Sequence, residues 1–195
     1  MGGKHGDEAP PKWRVGATFG AFRTKLLFSD GSTPAFEQLA VSASLEYRLS
    51  EKVTLVGAGG ALLAGNFGGE PTAPGGVGSV AVSYLVLDQG TYTPFLQVSG
   101  SVAFSAFRGP GANYAALDLR AGVVAGYTFL ERLTPYAVFR AFGGPVFYGR
   151  EVGTDAYHVQ LGAGLVVGLP FGFDLSAEVI PLGEQRVTAG LGFTF

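Results

Sequence analysis

Along most of this chain, apolar side chains fall on every second residue. In the final segment Val187, Ala189, Leu191, Phe193 and Phe195 share one parity, and Arg186, Thr188, Gly190, Gly192 and Thr194 share the other. Tyr157, Val159, Leu161, Ala163, Leu165, Val167 and Leu169 repeat the pattern against His158, Gln160, Gly162, Gly164, Val166 and Gly168. A third run sets Leu117, Leu119, Ala121, Val123, Ala125, Tyr127 and Phe129 against Ala116, Asp118, Arg120, Gly122, Val124, Gly126 and Thr128. Near the start Trp13, Val15, Ala17, Phe19 and Ala21 alternate with Arg14, Gly16, Thr18, Gly20 and Phe22. Period-two alternation sustained over such lengths means extended strands with one apolar face.

The same reading predicts strands near 12–22, 37–49, 52–63, 76–87, 92–106, 114–129, 134–143, 155–169, 171–180 and 186–195. Short turns at Ser50-Glu51, Asp88–Thr91, Leu130–Leu133 and Pro170 alternate with longer Gly- and Pro-containing stretches at Arg23–Phe36, Ala64–Gly75, Phe107–Asn113 and Gly144–Thr154; Pro181–Gln185 is a tight turn. Ten long strands joined in this way describe an all-β fold, a closed up-and-down antiparallel barrel with both termini at one end. Residues 1–11 (MGGKHGDEAPP) carry no such pattern and read as a flexible tail, leaving 12–195 as one barrel domain.

Composition says what surrounds the barrel. The 195 residues are 47% hydrophobic and only 14% charged, against roughly 25% charged in ordinary soluble chains. The 13 basic and 15 acidic residues leave a net charge of −2, so there is no basic footprint for nucleic acid. No cysteine and two histidines remove thiol chemistry and most metal-ligand sets, so neither metal nor cofactor is expected. The longest charge-free stretch, Gln89–Phe107, is interrupted by Gly, Ser, Thr, Gln and Pro and alternates, so it does not read as a spanning helix. No stretch has the layout of a secretory signal.

A water-soluble barrel turns its apolar face inward, and a membrane barrel inverts that arrangement. In the clearest strands the apolar parity contains no Asp, Glu, Lys or Arg. The opposite parity carries Arg14, Glu46, Arg48, Asp118, Arg120, Arg140, Asp174, Glu178 and Arg186 among many Gly, Ala, Ser and Thr. Arg or Lys facing the bilayer midplane costs about 2–4 kcal/mol, which accounts for a clean outer band. Small residues suit the inside of a narrow barrel. Aromatic residues at strand ends complete the pattern: Trp13, Tyr47, Tyr92, Tyr127, Phe129, Phe171, Phe173, Phe193 and Phe195 at one rim, and Phe104, Tyr114 and Tyr157 at the other. The lipid bilayer is therefore the first expected partner.

The ending VTAGLGFTF resembles the C-terminal strand of bacterial outer-membrane barrel proteins, in which alternating apolar residues finish on a terminal Phe read by the barrel-assembly machinery. Val187, Ala189, Leu191, Phe193 and Phe195 match that pattern position by position, and the resemblance implies the same machinery as a partner through Phe195. Thr93-Pro94-Phe95 and Thr134-Pro135-Tyr136 are similar to strand starts of small OmpX-, opacity- and OmpA-like barrels. What this resemblance implies is a bacterial outer-membrane location. Ten strands depart from the eight of OmpA and OmpX, and resemble instead the number in omptin-type proteases and Opc-type adhesins.

For function, the inward charges Glu46, Arg48, Asp118, Arg120, Arg140, Asp174, Glu178 and Arg186 either bias a narrow pore or pair into a plug. The leading expectation is a porin-like barrel with a structural or narrow small-solute pore role. The alternative is an adhesion module binding a surface ligand through outer loops, where Phe67, Phe147 and Tyr148 sit. Third comes an embedded hydrolase using His158, with Asp155 and Glu178 as neighbouring acids. The His-x-Ser pattern of lipid A deacylases is absent, since the segment is His158-Val159-Gln160, and no second acid pair of the omptin kind can be placed. No residue is therefore assigned as catalytic. Gly76-x-Gly78-x-x-Ala81 mimics a dinucleotide fingerprint but runs into VAVSYLVL, another strand.

Overall fold

The computed structural model describes residues 12–195; the tail assigned to 1–11 lies outside the described residues. The elements are β1 (Trp13–Phe28), β2 (Ala35–Arg48), β3 (Val53–Phe67), the two-residue β4 (Glu70–Pro71), β5 (Gly75–Leu87), β6 (Phe95–Arg108), β7 (Asn113–Gly126), β8 (Leu133–Gly143), β9 (Pro145–Tyr148), β10 (Glu151–Asp155), β11 (Val159–Gly168), β12 (Phe173–Leu182) and β13 (Gln185–Thr194). Ten of these form the wall: each pairs antiparallel with the next, from β1 through β2, β3, β5, β6, β7, β8, β11, β12 and β13. The last strand closes on the first over the register Arg14↔Thr194 to Arg23↔Gln185. The described chain begins at Lys12 and ends at Phe195 on the same side of the wall, here called the terminal rim.

Alternation along each strand becomes two faces of this wall. One parity points away from the barrel axis, as in Phe19 (51% exposed), Val80 (66%) and Val187 (56%). Its band ends in polar residues at the distal rim: Arg23 and Lys25 on β1, Glu37 on β2, Asn66 on β3, Arg108 on β6 and Gln185 on β13. The outward parity is thus free of charge only up to that rim, where water rather than hydrocarbon is the neighbour. At the terminal rim the aromatic residues pair, Trp13 with Tyr47 at 4.4 Å, Tyr127 with Phe129 at 4.9 Å, Phe173 with Phe193 at 4.8 Å, and Phe193 with Phe195 at 5.8 Å. Amphipathic rings are favoured where hydrocarbon gives way to water.

Strand ends depart from the sequence reading at the distal rim. The stretches 23–28, 64–67 and 144–154, expected as loops, are largely strand. The connections left there are short, at 29–34, 68–74, 109–112, 149–150 and 183–184. Alternation of long and short connections is therefore not what the fold shows. The physical reason is an inversion. Above Arg23 the inward parity becomes the apolar one (Leu26, Phe28, Phe36, Phe67), so the alternation changes sense and reads as a break.

The inversion follows from a change in circumference. The β12–β13 hairpin stops early, at a turn made by Gly183 and Glu184. Beyond it β10 pairs directly with β1 (Leu26↔Asp155, Leu27↔Thr154, Phe28↔Gly153), while β9 continues β8 and pairs with β7 at Tyr114–Ala116. The ring therefore narrows from ten strands to eight: β1, β2, β3, β5, β6, β7, β9 and β10. Eight strands enclose a space that side chains alone fill. Leu26, Phe28, Phe36, Leu62, Phe67, Phe107, Tyr114 and Val146 fill it, all of them buried.

Candidate functional site

Two layers occupy the interior, and the aromatic plug at the distal rim is the first. Phe36 is its centre, with Phe22 at 5.4 Å, Phe107 and Tyr114 each at 5.3 Å, and Phe67 at 6.2 Å. Phe107 stacks on Tyr114 at 4.3 Å and Phe67 on Tyr148 at 4.5 Å. Tyr148 also donates its hydroxyl to the Pro110 carbonyl, which fixes the ring over the plug. Offset and edge-on ring pairs of this kind add about 0.5–1.5 kcal/mol each beyond area burial. Three expectations are corrected here. Tyr114 is not part of a membrane-facing girdle, because it shares parity with Asp118 and Arg120 and points inward. Phe67 and Tyr148 are not loop aromatics but plug residues, and Phe147 alone of that trio faces outward, on β9.

Below the plug the lumen is ionic. At the terminal end Arg14 on β1 donates from Nε and Nη2 to Asp174 on β12 at 2.9 and 2.6 Å, and from Nη1 to Glu46 on β2. It reaches Asp174 over β13, where Gly192 leaves room; a Cβ there would overlap the guanidinium. Higher up, Glu178 on β12 accepts two hydrogen bonds from Arg140 on β8, both 2.9 Å, and one from the Tyr136 hydroxyl at 3.1 Å. The intervening strand β11 presents Gly164 in register with both Glu178 and Tyr136, so no side chain separates them. Glycine in these strands is thus what lets arms from two strands meet across a third.

The highest ionic layer joins Arg120 on β7 to Asp118, two residues earlier on the same face, and to Glu184 in the β12–β13 turn at 3.3 Å. Gln160 donates to Glu184 at 2.9 Å, and the Arg120 guanidinium lies 5.3 Å from the Phe142 ring centre. Glu184 and Gln160 are absent from the sequence-derived network. Glu184 stands in a turn beside Gly183 (φ 89°), two residues before Arg186 and on the same inward parity. Gln160 shares parity with Gly162 and Gly164, a signal that was available. Buried charges require partners, and these layers supply them.

Two of the expected lumen charges stand apart from that pairing. Arg48 is exposed at the terminal rim, and Arg186 faces the lumen from β13; neither makes an ion pair among the described residues. His158 is exposed beside Gly143, and no carboxylate hydrogen-bonds it among the described residues. Its expected neighbours are engaged elsewhere. Asp155 accepts from the Thr24 hydroxyl at 2.8 Å and the Tyr157 amide at 3.0 Å, and Glu178 is held by Arg140. Between the plug and the ionic layers lies a cavity of about 380 Å³.

Neither a protein-family model nor a curated protein sequence matches the chain. Solved structures do match by shape. The outer membrane protease OmpT from Escherichia coli superposes with a TM-score of 0.55 at 8% identity, covering 96% of this chain and 98% of that one. An outer membrane channel from Pseudomonas putida F1 gives 0.53 at 11% identity, with both chains covered in full. A protease and a channel on one architecture show that the fold does not fix the activity. The chain has the fold of bacterial outer-membrane proteins, a closed antiparallel transmembrane β-barrel of ten strands.

Proposed function

We propose that the protein is a bacterial outer-membrane barrel with a structural or narrow small-solute role, in which the lumen rather than the loops carries the function. The observation that supports this is the pairing of a sealed distal end with an internal cavity. Eight strands packed with buried aromatic rings fill that rim, while the wider ten-stranded part keeps free volume. The surface-adhesion alternative draws less support, because the distal connections are short and most of the aromatic residues once placed in them pack inward. A hydrolase centred on His158 has no paired acid to support it. In this reading the terminal rim faces the periplasm. The β13 strand, with Phe193 and Phe195 stacked on its edge, is the segment offered to the assembly machinery.

The test is single-channel recording in a planar bilayer. The wild-type barrel should give no large steady open level. The double substitution Phe36→Ala with Phe107→Ala, which empties the centre of the plug, should produce discrete openings. A stable, porin-sized conductance from the unaltered protein would overturn the reading.

A further inference from the structure

Arg186 is the unexplained charge of the lumen. It points inward from β13, in register with Ile180 on β12 and Phe22 on β1. Arg14, Arg120 and Arg140 each hold at least one carboxylate, whereas Arg186 has no carboxylate within ion-pair distance and no hydrogen-bond acceptor among the described residues. Three acids face it: Glu178 is held by Arg140 and Tyr136, Glu184 by Arg120 and Gln160, and Asp118 by Arg120 through Oδ2 alone. An enclosed guanidinium with five donors and no acceptor is a costly arrangement, and an anion relieves it.

Arg186 lines the cavity of about 380 Å³, a volume within the range of small-molecule sites. The cavity's lining changes character with height. Phe22, Phe36, Leu62 and Tyr114, the underside of the plug, form an apolar ceiling, and hydroxyls such as Ser42 and Ser101, the latter in register with Arg120, line the space below it. At about 30 Å³ per water-sized group the space takes roughly a dozen non-hydrogen atoms.

We infer that this cavity is a binding site for a small amphiphilic carboxylate, its head on the Arg186 guanidinium and its apolar body against the underside of the aromatic plug. A bare inorganic anion fits the head but leaves the ceiling unfilled. A neutral apolar molecule fits the ceiling but leaves Arg186 unsatisfied. A planar carboxylate matches the guanidinium fork with two parallel hydrogen bonds. The inference deepens the small-solute reading and rests on it.

The experiment is calorimetric titration of the refolded barrel in detergent with 4-phenylbutyrate, its neutral counterpart 4-phenyl-1-butanol, and inorganic phosphate. The acid should bind measurably tighter than the alcohol or phosphate. Arg186→Gln should weaken the acid at least tenfold, and Arg48→Gln, which removes an exposed rim charge, should not. Partition into the micelle is common to all variants and cancels. Arg186→Gln should also leave the urea midpoint unchanged or raised, since it removes a charge without a protein partner.

Equal binding of acid and alcohol, equal binding by phosphate, or full retention of acid binding in Arg186→Gln would each overturn the inference. So would a lowered urea midpoint in that variant, which would make Arg186 a structural charge. If the acid fails to bind while the conductance pattern holds, this inference fails and the barrel reading stands. If the conductance pattern fails, both go.

Discussion

Glu178→Ala is expected to destabilise the folded barrel by about 3–5 kcal/mol, read as a lowered midpoint in urea unfolding from lipid vesicles. The magnitude is that of breaking a buried ion pair from one side, which leaves the other charge enclosed without a partner. Glu178 is the acceptor for both Arg140 bonds and for the Tyr136 hydroxyl, so one truncation frees three donors at once. The geometry admits no replacement nearby, because Gly164 between the strands offers no side chain. Replacing both partners, as Glu178→Leu with Arg140→Met, should recover most of the loss, since an apolar pair of similar volume carries no desolvation cost. A single Glu178→Ala that unfolds like the wild type would mean the pair is hydrated through the lumen and contributes little.

Phe36→Ala should cost a similar amount, about 3–5 kcal/mol, because it opens a void at the centre of the plug. Phe36 is 3% exposed and lies within 6.2 Å, ring centre to ring centre, of four other aromatic residues. The eight-stranded part of the wall is closed by hydrogen bonds and has no means of collapsing onto the gap, so the cavity term persists. Phe36→Leu should lose only about 1–1.5 kcal/mol, as a swap nearer in volume and still apolar. The same urea unfolding assay checks both. Equal losses for the alanine and leucine variants would show that ring stacking outweighs packing volume.

Much of this architecture was legible in the chain. The run from Gln185 to Phe195 reads as one alternating strand, and all of it but Phe195 is β13. Which face most wall side chains take follows from parity, because a two-residue repeat decides it; the ten long strands follow from the runs and the turns between them. The distal rim was not legible. There the surroundings change from hydrocarbon outside and water within to water outside and apolar filling within. The same extended backbone then carries the opposite pattern: Arg23 and Lys25 turn outward while Leu26 and Phe28 turn in. Nor does local sequence show that β10 reaches past the short β12–β13 hairpin to β1, since that pairing depends on residues more than a hundred positions apart. Tyr114 could have been placed from its parity with Asp118. So could Glu184, which stands in a turn but two residues before Arg186 on the same parity.

Orientation of the wall is the claim on which the rest depends, and the chain's lack of cysteine makes it directly measurable. Single cysteines placed on β13 at 187, 188, 189, 191, 193 and 194, spin-labelled and reconstituted in vesicles, report collision with lipid-soluble oxygen against a water-soluble nickel chelate; Gly190 and Gly192 are left intact because a Cβ there meets neighbouring side chains. Labels at 187, 189, 191 and 193 should favour oxygen, and those at 188 and 194 should not, giving a two-residue oscillation. The opposite phase, or no oscillation, would contradict the account.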